Sequence, residues 1–266
     1  MITTNPFSLL SEIISPIAMQ AFVIFMVALV IIGTLLDIIH KKNVKYFFEN
    51  AKKAKKSATR ELGTGEKVSI IAKTVVYDIG TTSELGAGNR RIAHLLGMYG
   101  TVLFWIASAV MIFCYSSPFS DTPSLWPIIW HAGAIMTVLG GCWFWFFLRV
   151  DVYSEAQPWY RIIKADLFVL ALIATSLFGL IWSYLQYLNL DNRWDDKVFL
   201  VLFIVSNLVL FGGVYWSKFA HMFYKPGAAI QKNLAEADGS RDNLPPESDA
   251  PKQFGLGITR EDPKHY

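Results

Sequence analysis

Five long apolar runs dominate the pattern along this chain, at about residues 17–39, 93–115, 126–148, 165–188 and 198–222. Twenty-three helical residues at roughly 1.5 Å of rise each reach about 35 Å, enough for a hydrocarbon core of about 30 Å. The pattern therefore predicts an all-α integral membrane protein with five transmembrane helices, occupying residues 1–226. Pro16 precedes the first run, no basic segment stands before it, and it exceeds the apolar core of a signal peptide. It is expected to be a retained helix.

Between and after these runs the chain is polar. In the segment 41–91, Val68, Ile71, Val75 and Ile79 fall at i, i+3, i+7 and i+11, which places one apolar stripe on a helix at the membrane interface. From Gly227 to Tyr266 the chain is polar, with Pro245, Pro246, Pro251 and Pro263. Such a segment buries too little apolar area to fold alone and is expected to be a flexible or partner-ordered tail.

Charge orients the spans. Of the 24 Lys and Arg, 12 lie between Lys41 and Arg91, three are Arg149, Arg161 and Lys164, and seven lie from Lys218 onward; only Arg193 and Lys197 fall on the other side. The positive-inside rule then predicts an outside N-terminus, with the 41–91 loop, the 149–164 loop and the tail in the cytoplasm. The KKAKK run at Lys52–Lys56 has two readings: a topological anchor at an anionic leaflet, or a docking surface for an acidic soluble partner.

Composition agrees with the pattern: 53% of residues are hydrophobic and 17% charged, against about 25% charged in an ordinary soluble domain. A net charge of +3 is too small to suggest nucleic acid. The two cysteines, Cys114 and Cys142, form no CxxC, so covalent c-type haem, zinc ribbons and a protein-borne iron–sulfur cluster lack ligands. Neither a Walker A sequence nor GxGxxG is present.

Chemistry inside a bilayer then falls to ionisable groups, which are costly there and usually functional. Five histidines are candidates: His40, His94, His131, His221 and His265. His94 opens the second span and His221 closes the fifth, both on the expected cytoplasmic face. Two imidazoles at one depth are what an axially bis-ligated b-type haem requires. Arg90, Arg91 and Lys218 flank them and could pair with haem propionates, although the positive-inside rule would place basic residues there regardless. The competing reading makes both histidines interfacial residues bonded to carbonyls or lipid. His40 reads as an interfacial anchor and reserve ligand. His131, beside Trp126 and Trp130, reads as an outer-interface residue or a hydrogen-bond partner for a quinone head. His265 belongs to the tail. Gly140–Gly141 and Gly212–Gly213 suggest close helix contacts, and the block Trp143–Phe147 suggests a lipid-facing surface.

The segments RRIAHLLGMYG (Arg90–Gly100), KADLFVLALIATSLFGL (Lys164–Leu180) and YWSKFAHMFYKP (Tyr215–Pro226) resemble the membrane haem b domain of the respiratory nitrate reductase gamma and heterodisulfide reductase E superfamily. The resemblance extends over about residues 65–226 and is nearest to the membrane subunits that accompany adenylylsulfate reductase. It implies a haem near the cytoplasm held by His94 and His221. It also implies a second, outer haem with ligands at positions here occupied by Phe104 and Phe203. Phe cannot ligate iron, so at most one haem b is expected.

The resemblance thus implies a membrane anchor and electron-transfer subunit of the cytoplasmic (inner) membrane. It would link a soluble iron–sulfur flavoprotein, adenylylsulfate reductase of dissimilatory sulfur oxidation, to the quinone pool through one haem b. The subunit would be a non-catalytic part of an oxidoreductase complex. The alternative is a haem-free structural anchor whose partner reduces quinone directly; a small transporter is a third reading.

Overall fold

The computed structural model describes residues 1–41, 43–85, 88–148, 160–188, 194–217, 219, 221–240, 253–254 and 258–259. They form helices α1 (Pro6–Leu10), α2 (Pro16–Lys41), α3 (Asn43–Lys55), α4 (Thr64–Lys73), α5 (Asn89–Cys114), α6 (Leu125–Trp143), α7 (Leu167–Leu188), α8 (Asp195–Gly212) and α9 (His221–Ala237). A π-helical turn extends α4 over Thr74–Ile79 and another extends α6 over Phe144–Leu148, while 3-10 turns stand at Lys164–Asp166 before α7 and Gly213–Tyr215 after α8. Gln253–Phe254 and Ile258–Thr259 pair as two short antiparallel strands.

Five stretches are long and apolar enough to cross a membrane: Pro16–His40, Asn89–Cys114, Leu125–Leu148, Lys164–Leu188 and Asp195–Tyr215. The first four coincide with the expected runs to within a few residues. The fifth ends sooner. Apolar residues continue to residue 216, but the Gly212–Gly213 pair, with its low helix propensity, closes the α-helix there.

The chain divides into two compact units. One comprises Met1–Leu36, Ile92–Val150 and Gln157–Ala220 and holds the apolar bundle. Here small residues set the helix spacing, because lipid tails supply no hydrophobic force between helices and close packing must do so. On α5 and α6 the backbones touch: a Cβ added at Gly133 would lie 2.7 Å from the Gly100 carbonyl oxygen, and one at Gly140 would lie 2.6 Å from that of Ala93. Along α7, Ala171, Thr175, Gly179 and Ser183 recur every four residues and are all buried. Gly179 leaves room for the rings of Phe203 and Trp130. Burial of the most apolar window falls from 44% in the α6 span to 17% in the α2 span. The α6 helix is therefore central and α2 peripheral. Gly140 and Gly141 make the close contacts expected of them, Gly141 against Ile173; Gly212 borders open space. Within the aromatic block Trp145 is buried, whereas Phe146 and Phe147 are exposed. The lipid-facing expectation holds only for the latter two, since one helix face turns inward.

The short helix α1 is the least anticipated element. Asn5 caps it by accepting the Phe7 amide at 2.9 Å, and donates to the Tyr115 carbonyl at 2.9 Å and the Thr122 hydroxyl at 3.1 Å. Gln186 donates to the Pro6 carbonyl at 3.4 Å. Phe7 then sits edge-on to Trp130 at 6.0 Å and beside Trp182 at 5.8 Å. Five residues thus close one end of the bundle.

The other unit comprises Asp37–Arg91, Asp151–Ala156 and His221–Tyr266. Here α9 packs on α3, α4 and the π turn. The polar reading of 227–266 placed its first eleven residues in a flexible tail; in the structure they are helical as far as Ala237. Pro226 lies inside this helix, and the backbone hydrogen bond it forfeits is offset by tertiary contacts. Arg60 donates to the Ala237 carbonyl at 2.6 Å and pairs with Glu66 at 2.6 Å, while the Asp238 carbonyl receives the Thr59 amide at 3.0 Å.

Candidate functional site

Where the resemblance implies a second pair of haem ligands, two aromatic rings meet. Phe104 of α5 and Phe203 of α8 pack edge to face with centroids 6.4 Å apart. Phe104 lies against Trp130 at 5.0 Å, and Trp182 stacks on Phe203 at 5.7 Å with 17° between planes. These rings, with Phe7, Ala107, Met111 and Ala134, form one buried core. The residues present do not fit an outer haem: the two expected ligand positions carry Phe, and their rings pack against Trp130 and Trp182. Beside this core the Trp130 indole donates to Ser108 at 2.9 Å and Thr101 and Thr137 pair at 3.3 Å.

His131 belongs to the same region but is not an interface residue. It is 1% exposed. Its Nδ1 lies 2.7 Å from the Pro127 carbonyl and its Nε2 lies 2.9 Å from the Ser183 hydroxyl. A carbonyl only accepts, so Nδ1 carries the proton and Nε2 accepts from Ser183. Nε2 ties α6 to α7 while Nδ1 bonds within α6, which leaves neither nitrogen for a quinone or a metal.

A second aromatic cluster fills the bundle on the face of α5 that carries His94. Trp105, eleven residues or about three turns from His94, packs on Phe211 at 5.2 Å and stacks on Phe219 at 6.1 Å. Phe219 also meets Phe168 at 5.3 Å. The chain beyond the fifth span therefore turns Phe219 into the core. His94 itself is exposed on α5. Beside it, one turn on, a Cβ at Gly97 would meet no atom within 4 Å. An exposed imidazole has the chemistry of an axial haem ligand. His221 is the first residue of α9 and belongs to the other unit; its side chain lies outside the described residues, as does Lys218. Arg90 is half-buried. Arg91 is committed elsewhere, since its guanidinium donates to the Thr81 carbonyl at 2.8 Å and the Thr81 hydroxyl at 2.9 Å. That clamp fixes the turn in which Thr82 holds a φ of 48°, an unfavourable conformation for a β-branched residue. Among the described residues no group of three or more His, Cys, Asp or Glu side chains forms a metal site.

Two carboxylates organise the second unit. Asp37 is buried and accepts from the Tyr224 hydroxyl at 3.0 Å. Burial, with the Asp37 bond added, pushes the Tyr224 phenol up to about 12, so it stays a donor at every physiological pH. Asp78 accepts from Ser83 at 2.6 Å and from Asn233 at 2.7 Å, and Asn233 also donates to Thr74 at 2.7 Å. The Ser83 and then the Asn233 bond hold the Asp78 carboxyl below its ordinary 3.8, outweighing desolvation. Stability from the ionised form is therefore present above 3.8 and is lost as pH falls through the depressed value. In hydrogen-exchange mass spectrometry, the α9 amides are expected to stay protected near pH 4 and to lose protection at lower pH. Asp78→Asn should flatten that dependence and weaken protection at neutral pH, because an amide accepts these donors less well than a carboxylate.

No family model, curated protein or solved structure matches the chain.

Proposed function

We propose that this chain is a membrane anchor and electron-transfer subunit that joins a soluble iron–sulfur flavoenzyme, of the adenylylsulfate reductase kind, to the quinone pool. Its N-terminus lies outside, and its basic loop and α9 lie in the cytoplasm. The observation that carries the reading is the meeting of Phe104 with Phe203. The resemblance implies that these two positions, ten residues after His94 and eighteen before His221, face each other, and their rings do.

Haem b, when bound, would accept and donate single electrons between the partner and quinone. His94 and His221 would hold its iron, with Arg90 and Lys218 to pair with its propionates; Arg91 serves the Thr81 turn instead. Phe104, Phe203, Trp130 and Trp182 fill the far side of the bundle and exclude both water and a second redox centre there. Electron transfer is thereby confined to the cytoplasmic side, since one cofactor does not bridge a core of about 30 Å. Lysines of α3, including Lys52, Lys53 and Lys55, supply the charge for an acidic partner.

A haem-free anchor is the second reading. It is favoured by the turn that carries Phe219 into the core and by the start of a separate helix at His221 where the end of the fifth span is expected. A dithionite-reduced minus air-oxidised spectrum with pyridine haemochrome quantification decides between them. The expected result is about one haem b per chain; none, in protein made with ample haem supply, would leave the anchor reading alone.

A further inference from the structure

The helix α4 with its π turn buries one residue, Thr74, and that residue is polar. It meets α9 through Thr74, which is 1% exposed, and through the Asp78–Asn233 bond. Three members of the apolar stripe are exposed, Val68 at 61%, Ile71 at 37% and Val75 at 45%, with Val76 beside them at 71%, while Ile79 is half-buried. Folding in water alone would produce the reverse arrangement, because apolar surface is what a helix gains by burying. A contiguous run of exposed aliphatic side chains marks a surface that something else covers.

We infer that this stripe lies in the headgroup–acyl boundary of the bilayer, so that α4 and its π turn form an in-plane amphipathic helix between two spans. Three features select lipid over a protein partner. The segment is joined to membrane-crossing stretches on both sides, at His40 and at Asn89, so the membrane is its unavoidable neighbour. The exposed large apolar residues are aliphatic, apart from Tyr77, whose amphipathic ring suits the headgroup level. Lys67 and Lys73 flank the stripe, with stems long enough to carry their charges back to phosphates. The polar spine of Thr74, Asp78 and Asn233 then holds α9 on the side away from lipid. The inference rests on the chain spanning a membrane and on no cofactor.

The test uses the full chain in phosphatidylcholine–phosphatidylglycerol nanodiscs, with Cys114→Ser and Cys142→Ser removing the native thiols. A nitroxide is attached at Ile71→Cys or Val75→Cys, and at Lys67→Cys for comparison. At positions 71 and 75 collisions with oxygen are expected to rise and collisions with a water-soluble nickel chelate to fall severalfold relative to position 67. Chelate access equal to that at position 67 would overturn the inference. So would low access to both reagents, which would mean a protein cover. Should the labelled variants fail to fold, the unaltered chain is irradiated with a photoactivatable phosphatidylcholine. Adducts in the spans but none within residues 64–79 would equally overturn it.

Discussion

Gly133→Leu should leave little monodisperse protein, and Gly133→Ala should lower the melting temperature of whatever folds. A Cβ at this position meets the Gly100 carbonyl oxygen and the Phe104 amide nitrogen, each at 2.7 Å. Both are backbone atoms, so relief requires α5 and α6 to separate along their length. Overpacking a tight core with side chains alone costs about 1–3 kcal/mol, and a backbone obstacle belongs at or above the top of that range. Gly97→Ala is the control on the facing helix, α5. Its Cβ meets nothing within 4 Å, and alanine is the better helix former by up to about 1 kcal/mol. Thermal unfolding of the detergent-solubilised variants, followed by tryptophan fluorescence and size-exclusion profile, reads all three. Equal melting of Gly133→Ala and Gly97→Ala would refute backbone contact as the basis of the α5–α6 pairing.

His94→Ala and His221→Ala should each abolish the low-spin haem spectrum, because a six-coordinate iron loses its spin state when either axial ligand goes. His40→Ala should leave the spectrum unchanged. His131 is already committed through both ring nitrogens and offers no replacement ligand. A His221→Ala protein with an unaltered low-spin spectrum would transfer the second ligand elsewhere, with His40 the first candidate. The partner's attachment is separable from this outcome. If α3 lysines carry it, association should weaken as salt rises, since exposed charges are screened beyond about 8 Å at physiological ionic strength.

Membrane-spanning helices are legible in a sequence because their signal is local: about twenty apolar residues suffice, whatever surrounds them. Four of the five spans here coincide with their apolar runs, and the fifth parts from its run at a glycine pair that hydropathy does not weigh. What escaped the sequence is non-local. The PFSLL segment of α1 is too short to stand out, and its meaning comes from Tyr115, Thr122 and Gln186. The chain from Gly227 reads as a polar tail, and it is packing on α3 and α4 that makes its first part the helix α9. His131 beside two tryptophans looks like an interface residue; only the partner Ser183, on another helix, reveals it as a tie inside the core. The Phe104–Phe203 pair was legible in its consequence, the loss of ligands, but not in its tight packing with Trp130, Trp182 and Phe7.

The closure of the bundle by α1 also bears on how the chain is made. Asn5 and Pro6 bond to groups 110 to 180 positions further along. At about 5–20 residues per second of synthesis, these early residues wait roughly 10–35 s before Gln186 has been translated. Until Trp130 and then Trp182 are made Phe7 has no complete ring pocket to enter, so the segment finishes packing only as the fourth membrane-spanning helix is completed behind it. Loop closure over such a distance is slow and comes late. Seating the plug is then the step that converts an inserted set of helices into a finished bundle, and a bulky fusion just ahead of Asn5 would stall maturation rather than insertion.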